Sequence, residues 1–213
     1  MRLHPPSVLD CGCGDGSLLS LVARHIPCGQ LHGMDIADNV PLHQAALRIQ
    51  FRQQDLGRPV PQDIHGAYDL VLCSEVIEHV ENDDNVLRNL ADLTAPGGNV
   101  VLTTQTGRIY RTEEFLGHIR HYNPRDLCAR IENAGLNIQR CYVAGWPWLN
   151  AQKIAAHLMQ DSVQKNIVQA KSLSFPVRIL FSVLAYLYRL SSRRRGPQIV
   201  ILAQKPRREP QTG

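Results

Sequence analysis

Ser7-Val-Leu-Asp-Cys-Gly-Cys-Gly-Asp-Gly-Ser-Leu-Leu19 decides the fold of this chain. A short apolar run ends in an acid, Asp10, and Gly12, Gly14 and Gly16 then alternate into the start of an apolar helix. Glycines suit such a place, because a strand must turn sharply into a helix while the backbone comes close to a ligand. A dinucleotide site of the form G-x-G-x-x-G requires glycine at position 17, which is Ser17. The acid two residues before the first glycine and the early third glycine define a different turn, D-x-G-x-G-x-G.

Outward from that turn, apolar periodicity alternates between strand and helix. Strands are expected at Ser7–Asp10, Leu31–Asp35, Ile49–Gln53, Tyr68–Ser74, Asn99–Thr104, Leu136–Val143 and Gln198–Gln204. Helices are expected at Ser17–His25, Val40–Arg48, Asn85–Leu93 and Pro124–Asn133. Asn123-Pro124 reads as an N-cap with proline in the first turn, Gly135 as a left-handed stop, and Ala95-Pro-Gly-Gly98 as a turn before a strand. The alternation implies a Rossmann-like α/β fold, a seven-stranded, mostly parallel sheet with helices on both faces. The stretch Gly145–Arg195, about fifty residues before the last strand, is too long for a plain loop and is expected to hold two helices, Leu149–Lys171 and Phe175–Ser191.

The chain has 213 residues, 44% of them hydrophobic, and a net charge of +4, enough for one well-buried domain and too little positive charge for a dedicated nucleic-acid surface. Arg193-Arg194-Arg195 and Arg207-Arg208 carry much of that charge near the end. Six cysteines show no zinc-like spacing, and no leader precedes the first strand, so a reducing cytoplasm is the expected location.

The D-x-G-x-G-x-G turn, with Tyr68-Asp-Leu-Val-Leu-Cys-Ser-Glu-Val-Ile-Glu-His-Val80 and Leu93-Thr-Ala-Pro-Gly-Gly-Asn-Val-Val-Leu-Thr103, resembles the class I S-adenosylmethionine-dependent methyltransferases over residues 7 to 104. The expectation is one methyltransferase domain over 1–213, in which the long helical insertion 145–195 closes over the substrate as a lid and the polar, proline-containing stretch 205–213 is a flexible tail. The resemblance implies S-adenosyl-L-methionine as cofactor. Asp10, Gly12, Gly14 and Gly16 would meet its amino-acid end, Asp35 its ribose, and Asp55 and Leu56 its adenine, with Ser74 at the end of the fourth strand. A carboxylate suits the ribose because its ionised oxygens accept two hydroxyl hydrogen bonds.

On the acceptor side, Glu75, Glu78 and His79 follow the fourth strand, and Gly117-His118-Ile-Arg-His121-Tyr follows the fifth. The second segment resembles G-H-x-R-H-[YF] of a broad methyltransferase subgroup whose acceptors are small molecules, sugars or lipid-linked intermediates. His79 and His121 are the expected catalytic bases, since an imidazole near neutral pKa can take a hydroxyl proton as the methyl group moves. Glu75, His118 and Arg120 are the expected substrate contacts. Glu75, Glu78, His79 and His121 also resemble the metal site of small-RNA 2′-O-methyltransferases and of magnesium-dependent ubiquinone-pathway O-methyltransferases, so a divalent cation is the lesser alternative.

The reading is therefore O-methylation of a small-molecule or lipid-linked hydroxyl. N-methylation, RNA 2′-O-methylation, a nicotinamide-dependent oxidoreductase and a non-catalytic cofactor-binding subunit are the alternatives. Residues 173–195, apolar and then basic, are the expected site of any peripheral membrane contact.

Overall fold

The structure is a computed structural model and describes residues 5–38, 49–160, 179, 182–183 and 186–207. Its strands are β1 (Ser7–Cys11), β2 (Gln30–Asp35), β3 (Gln50–Gln53), β4 (Tyr68–Ser74), β5 (Thr94–Gln105), β6 (Asn137–Ala144) and β7 (Gln198–Gln204). The helices are α1 (Ser17–His25), α2 (Asp83–Leu93), α3 (Arg111–Phe115), α4 (Pro124–Asn133) and α5 (Trp148–Leu158).

One seven-stranded sheet runs β3-β2-β1-β4-β5-β7-β6. The first five strands pair in parallel, and β7 inserts antiparallel between β5 and β6. The chain leaves β1 toward β2 and β3, then returns to build β4 and β5 on the other side. This reversal opens a crevice beyond the carboxyl ends of β1 and β4.

β1 is buried along its whole length, so its side chains feed both faces. Val8 packs with Leu19, Val22, Leu31, Leu70 and Leu72 on the α1 side. Leu9 and Cys11 point the other way, into a larger core with Val71, Cys73, Leu87, Leu90, Leu127 and Ile131 from β4, α2 and α4. The two-residue period of the strands thus divides one apolar set into two layers.

The expected caps form. The Asn123 side chain accepts from the Arg125 N–H at the start of α4, and Gly135 closes that helix at φ 92°. The Ala95–Gly98 turn is corrected: these residues belong to β5, which begins at Thr94 opposite Tyr68 and shifts register before Leu70. Gly97 at φ 82° lets the chain bulge there while staying paired, with its N–H donating to the Lys205 carbonyl. α2 starts two residues earlier than expected because the Asn82 side chain accepts from the Asn85 N–H. α3 was not expected from periodicity; it is one short turn-like helix closed by the Glu113 side chain on the Tyr110 N–H. The helix at Val40–Arg48, most of Leu149–Lys171 beyond α5, most of Phe175–Ser191 and the tail from Arg208 lie outside the described residues.

One carboxylate ties the helical layer to the loop after α3. Asp83 Oδ1 and Oδ2 receive the Arg130 guanidinium at 2.7 and 2.9 Å, Arg120 Nη1 lies 2.7 Å from Oδ2, and the Tyr122 hydroxyl donates to Oδ2 at 2.9 Å. Burial alone would raise this carboxyl, but Arg130, Arg120 and Tyr122 outweigh it and hold it well below the usual carboxylate range. A group with a depressed folded pKa contributes stability that is present above its unfolded value, near 4, and lost as pH falls below it. Asp83→Asn is expected to cost about 2–3 kcal/mol at pH 7. Urea unfolding at pH 7 and pH 3 should show a smaller acid loss for the variant than for the wild type.

Candidate functional site

Beyond β1 and β4 lies a cavity of about 300 Å³ lined by Gly12, Asp35, Ile36, Gln54, Asp55, Leu56, Glu75, Val76, His79 and Val80. Gly12, Gly14 and Gly16 all take positive φ, at 77°, 50° and 74°, which only glycine adopts freely. A Cβ on Gly12 would collide with the Val76 side chain, whereas one on Gly14 would meet open space. The first glycine is thus required by packing against the opposite wall, and the second leaves room for a ligand.

Asp35 ends β2 with its carboxylate turned to the glycine turn: Oδ2 accepts from the Gly14 N–H at 2.9 Å and Oδ1 from the Ala37 N–H at 3.0 Å. Each oxygen keeps a further lone pair for a diol. Asp10 lies behind the turn, 2% exposed, and its Oδ1 has no hydrogen-bond partner among the described residues. Burial first, and the Asp35 charge second, push its carboxyl up to about 7. An orphaned buried acceptor of this kind fits an incoming ammonium group. Asp55 also lines the cavity, but its Oδ1 accepts from the Gly57 N–H at 2.8 Å, so it shapes its own turn. Leu56 is buried at the cavity wall. Ser74 is not brought to the wall; its hydroxyl donates at 2.8 Å to Thr103, whose own proton goes to Glu75.

Glu75 takes a left-handed conformation at φ 55°, rare for a residue with a Cβ. Its Oε1 accepts from Thr103 Oγ1 at 2.9 Å and from Gln198 Nε2 at 2.6 Å, and its Oε2 accepts from Gln105 Nε2 at 2.9 Å. Three donors from β5 and β7 therefore fix it. Glu78 is fully buried; Thr104 donates to its Oε2 at 2.8 Å, while its Oε1 has no partner among the described residues. Burial, then the nearby Glu75, push this carboxyl up to about 7.

The three histidines form a row leading away from the cavity. His79 lines it, the His118 ring meets His79 edge-on at 4.6 Å between centroids, and His121 follows at 5.4 Å. His121 Nδ1 lies 3.2 Å from the Gly107 carbonyl, which can only accept, so Nδ1 carries the proton. Neutral His121 then presents a bare Nε2, which receives the Nδ1–H of His118 at 3.2 Å. This leaves His118 Nε2 as a lone pair. Burial lowers both imidazoles below their ordinary pKa, with His79 adding to the effect on His118 and Lys153 to that on His121, although Glu113 opposes it. Donor atoms of Glu78, His79 and His118 lie within 4.8 Å of one another, as do those of Glu113, His118 and His121; Glu75 belongs to neither group.

Arg120, expected as a substrate contact, is committed elsewhere: Nη1 pairs with Asp83 and Nη2 donates to the Glu81 carbonyl at 3.0 Å. Gln105, Glu113, Lys153 and Gln198 were missed in the sequence, where each reads as an ordinary polar residue. Lys153 Nζ, on α5, sits 2.6 Å from Gln105 Oε1 and 2.7 Å from Glu113 Oε1.

Residues 2–140 match the family model described as a methyltransferase domain, and the chain belongs to that family. It is an S-adenosylmethionine-dependent methyltransferase, which fits the cavity's glycine turn, the Asp35 carboxylate turned to it and the orphaned Asp10 oxygen. Among similar proteins is a ubiquinone biosynthesis O-methyltransferase of Xanthomonas euvesicatoria pv. vesicatoria, 30% identical over 183 residues and covering 73% of each chain. Its counterpart in Xanthomonas axonopodis pv. citri is 29% identical over 181 residues, covering 73% of this chain and 74% of the relative. A crystal structure of an S-adenosylmethionine-dependent methyltransferase from Mesorhizobium loti shares the fold, with a TM-score of 0.59 at 17% identity over 93% of this chain and 90% of that one. The nicotinamide-dependent alternative is thereby set aside.

Asp35→Ala and Gly12→Ala should each weaken S-adenosylhomocysteine binding at least roughly tenfold, the first by removing the diol acceptor and the second by forcing Val76 into the cavity. Calorimetric titration of each variant checks this, and wild-type affinity in both would contradict the assignment of the cavity.

Proposed function

We propose that the enzyme methylates a hydroxyl oxygen of a small aromatic acceptor, with His79 as the base. The observation that carries this reading is the histidine row. The base lies at the wall of the cofactor cavity, and the hydrogen-bonded pair behind it ends on the Gly107 carbonyl. As the acceptor oxygen attacks the sulfonium methyl carbon in line, the carbon–sulfur bond breaks and its electrons return to sulfur. The hydroxyl proton passes to the imidazole. Most of the rate would come from holding the two substrates in that alignment and excluding water. His121, with both ring nitrogens engaged, serves by orienting His118 rather than by touching the acceptor.

The relatives' name, ubiquinone biosynthesis O-methyltransferase, makes an aromatic hydroxyl the first acceptor to test. A panel of catechols and hydroxybenzoates, with aromatic amines as controls, should show S-adenosylhomocysteine release with the hydroxyl compounds. His79→Ala should lower kcat about 100-fold or more. Turnover of the amines alone would replace this reading by N-methylation. A second reading rests on Glu78, whose orphaned oxygen stands with His79 and His118 in a set that fits a divalent cation. Such an ion would lower the acceptor's hydroxyl pKa. Full activity in chelator supports the imidazole base; loss restored by Mg²⁺ supports the ion.

A lipid-linked acceptor would bring the enzyme to a membrane surface. Among the described residues no helix is long and apolar enough to cross a membrane. Ile179, Val183, Tyr186 and Leu190 are nevertheless exposed, and Arg189, Arg193 and Arg194 line an open groove with Tyr142 and Tyr188. This combination suits an anionic lipid interface. Co-sedimentation with vesicles containing anionic lipid should fall sharply when Arg193, Arg194 and Arg195 are changed to Ser; equal sedimentation would remove the membrane contact.

A further inference from the structure

We propose that Lys153 is a positioning residue for the cofactor cavity, acting at a distance through Gln105 and Glu75. The side chain is only 10% exposed, as is its ion-pair partner Glu113. Its ammonium reaches two neighbours at once: Glu113 Oε1 at 2.7 Å and Gln105 Oε1 at 2.6 Å. A primary amide has one carbonyl oxygen and one NH₂ group, so the cation on the oxygen dictates which end faces the other way. With Lys153 bound, the Gln105 Nε2 must point to Glu75 Oε2, where it donates at 2.9 Å. Without Lys153 the amide oxygen loses its buried cation, and the Gln105 side chain is no longer held from that end, only by its bond to Glu75.

Glu75 is where this orientation matters. Its left-handed backbone costs energy that the surrounding hydrogen bonds must offset. It leads directly into Val76, the side chain packed over Gly12, and then to His79 and Val80, all of which line the cavity. The path therefore runs from the ammonium on α5, through one amide at the end of β5, to the conformation of the wall facing the glycine turn. Thr103 and Gln198 hold the other carboxylate oxygen, so loss of the Gln105 bond loosens the wall without releasing it. The inference concerns the cofactor wall and does not depend on which acceptor is methylated.

Calorimetric titration with S-adenosylhomocysteine tests it on the full chain. Lys153→Met and Gln105→Leu are each expected to weaken binding roughly five- to tenfold, in line with the loss of one charge-assisted bond. The double variant should be no weaker than the worse single one, because both changes break the same path. Lys153→Arg, which keeps the charge but not the compact ammonium, should fall between wild type and Lys153→Met. Gln105→Leu leaves the Lys153–Glu113 pair in place, so it reports on the path even where Lys153→Met impairs folding. Wild-type affinity in Gln105→Leu, or independent, multiplying effects in the double variant, would overturn the proposal. A role in stability alone would lower the melting temperature of Lys153→Met and leave its affinity unchanged.

Discussion

Glu75 holds an unfavourable backbone conformation because three side-chain donors converge on its carboxylate. Those donors come from the ends of β5 and β7, strands that are neighbours only because β7 inserts antiparallel beside β5. The sheet's one departure from parallel order thus places the amides that a strained residue at the end of β4 needs. The segment after Glu75 then supplies both the cavity wall and the first histidine. The cavity wall and His79 are thus carried by a single turn of chain.

Burial shapes the charge state of the groups around the site. Asp10 and Glu78 are buried and have carboxyl pKa values raised to about 7, while His118 and His121 are lowered. Both shifts start from desolvation, which disfavours whichever form is charged. Lys153 with Glu113 and Arg120 with Asp83 are ion pairs, whereas Asp35 and Glu75 at the cavity wall are met by neutral N–H and O–H donors.

Legibility in the sequence followed the range of the interactions. The turn from Asp10 to Gly16 and the acid Asp35 were readable because a tight strand–helix turn and a strand end impose residue types locally. His79, His118 and His121 were visible as chemistry, but their order along a row was not, since it depends on the loop after α3 folding back over the end of β4. Arg120 reads as a ligand contact from its place beside two histidines, whereas in the structure its guanidinium pairs with Asp83, far away in sequence. Gln105, Lys153 and Gln198 gave no signal at all. Polar residues at strand ends and on a helix are ordinary, and only the strand order brings them to one carboxylate.

Two carboxylates thus divide the work of holding the site. Glu75 fixes the wall of the cofactor cavity from the sheet side, and Asp83 fixes the loop carrying His118 and His121 from the helical side, through Arg120 and Tyr122. The two sets meet at the edge-on pair His79 and His118 and are also tied by hydrogen bonds: the Ile119 N–H donates to the Glu78 carbonyl at 3.0 Å, the Tyr122 N–H donates to the Gln105 carbonyl at 2.9 Å, and the Tyr122 hydroxyl lies 3.1 Å from the Ile77 carbonyl. Groups joined through one hydrogen-bond network are energetically coupled. The loop carrying His118 and His121 therefore cannot shift without pulling on Gln105 and on the turn that carries His79, so the cavity wall is set from the sheet side and the helical side together.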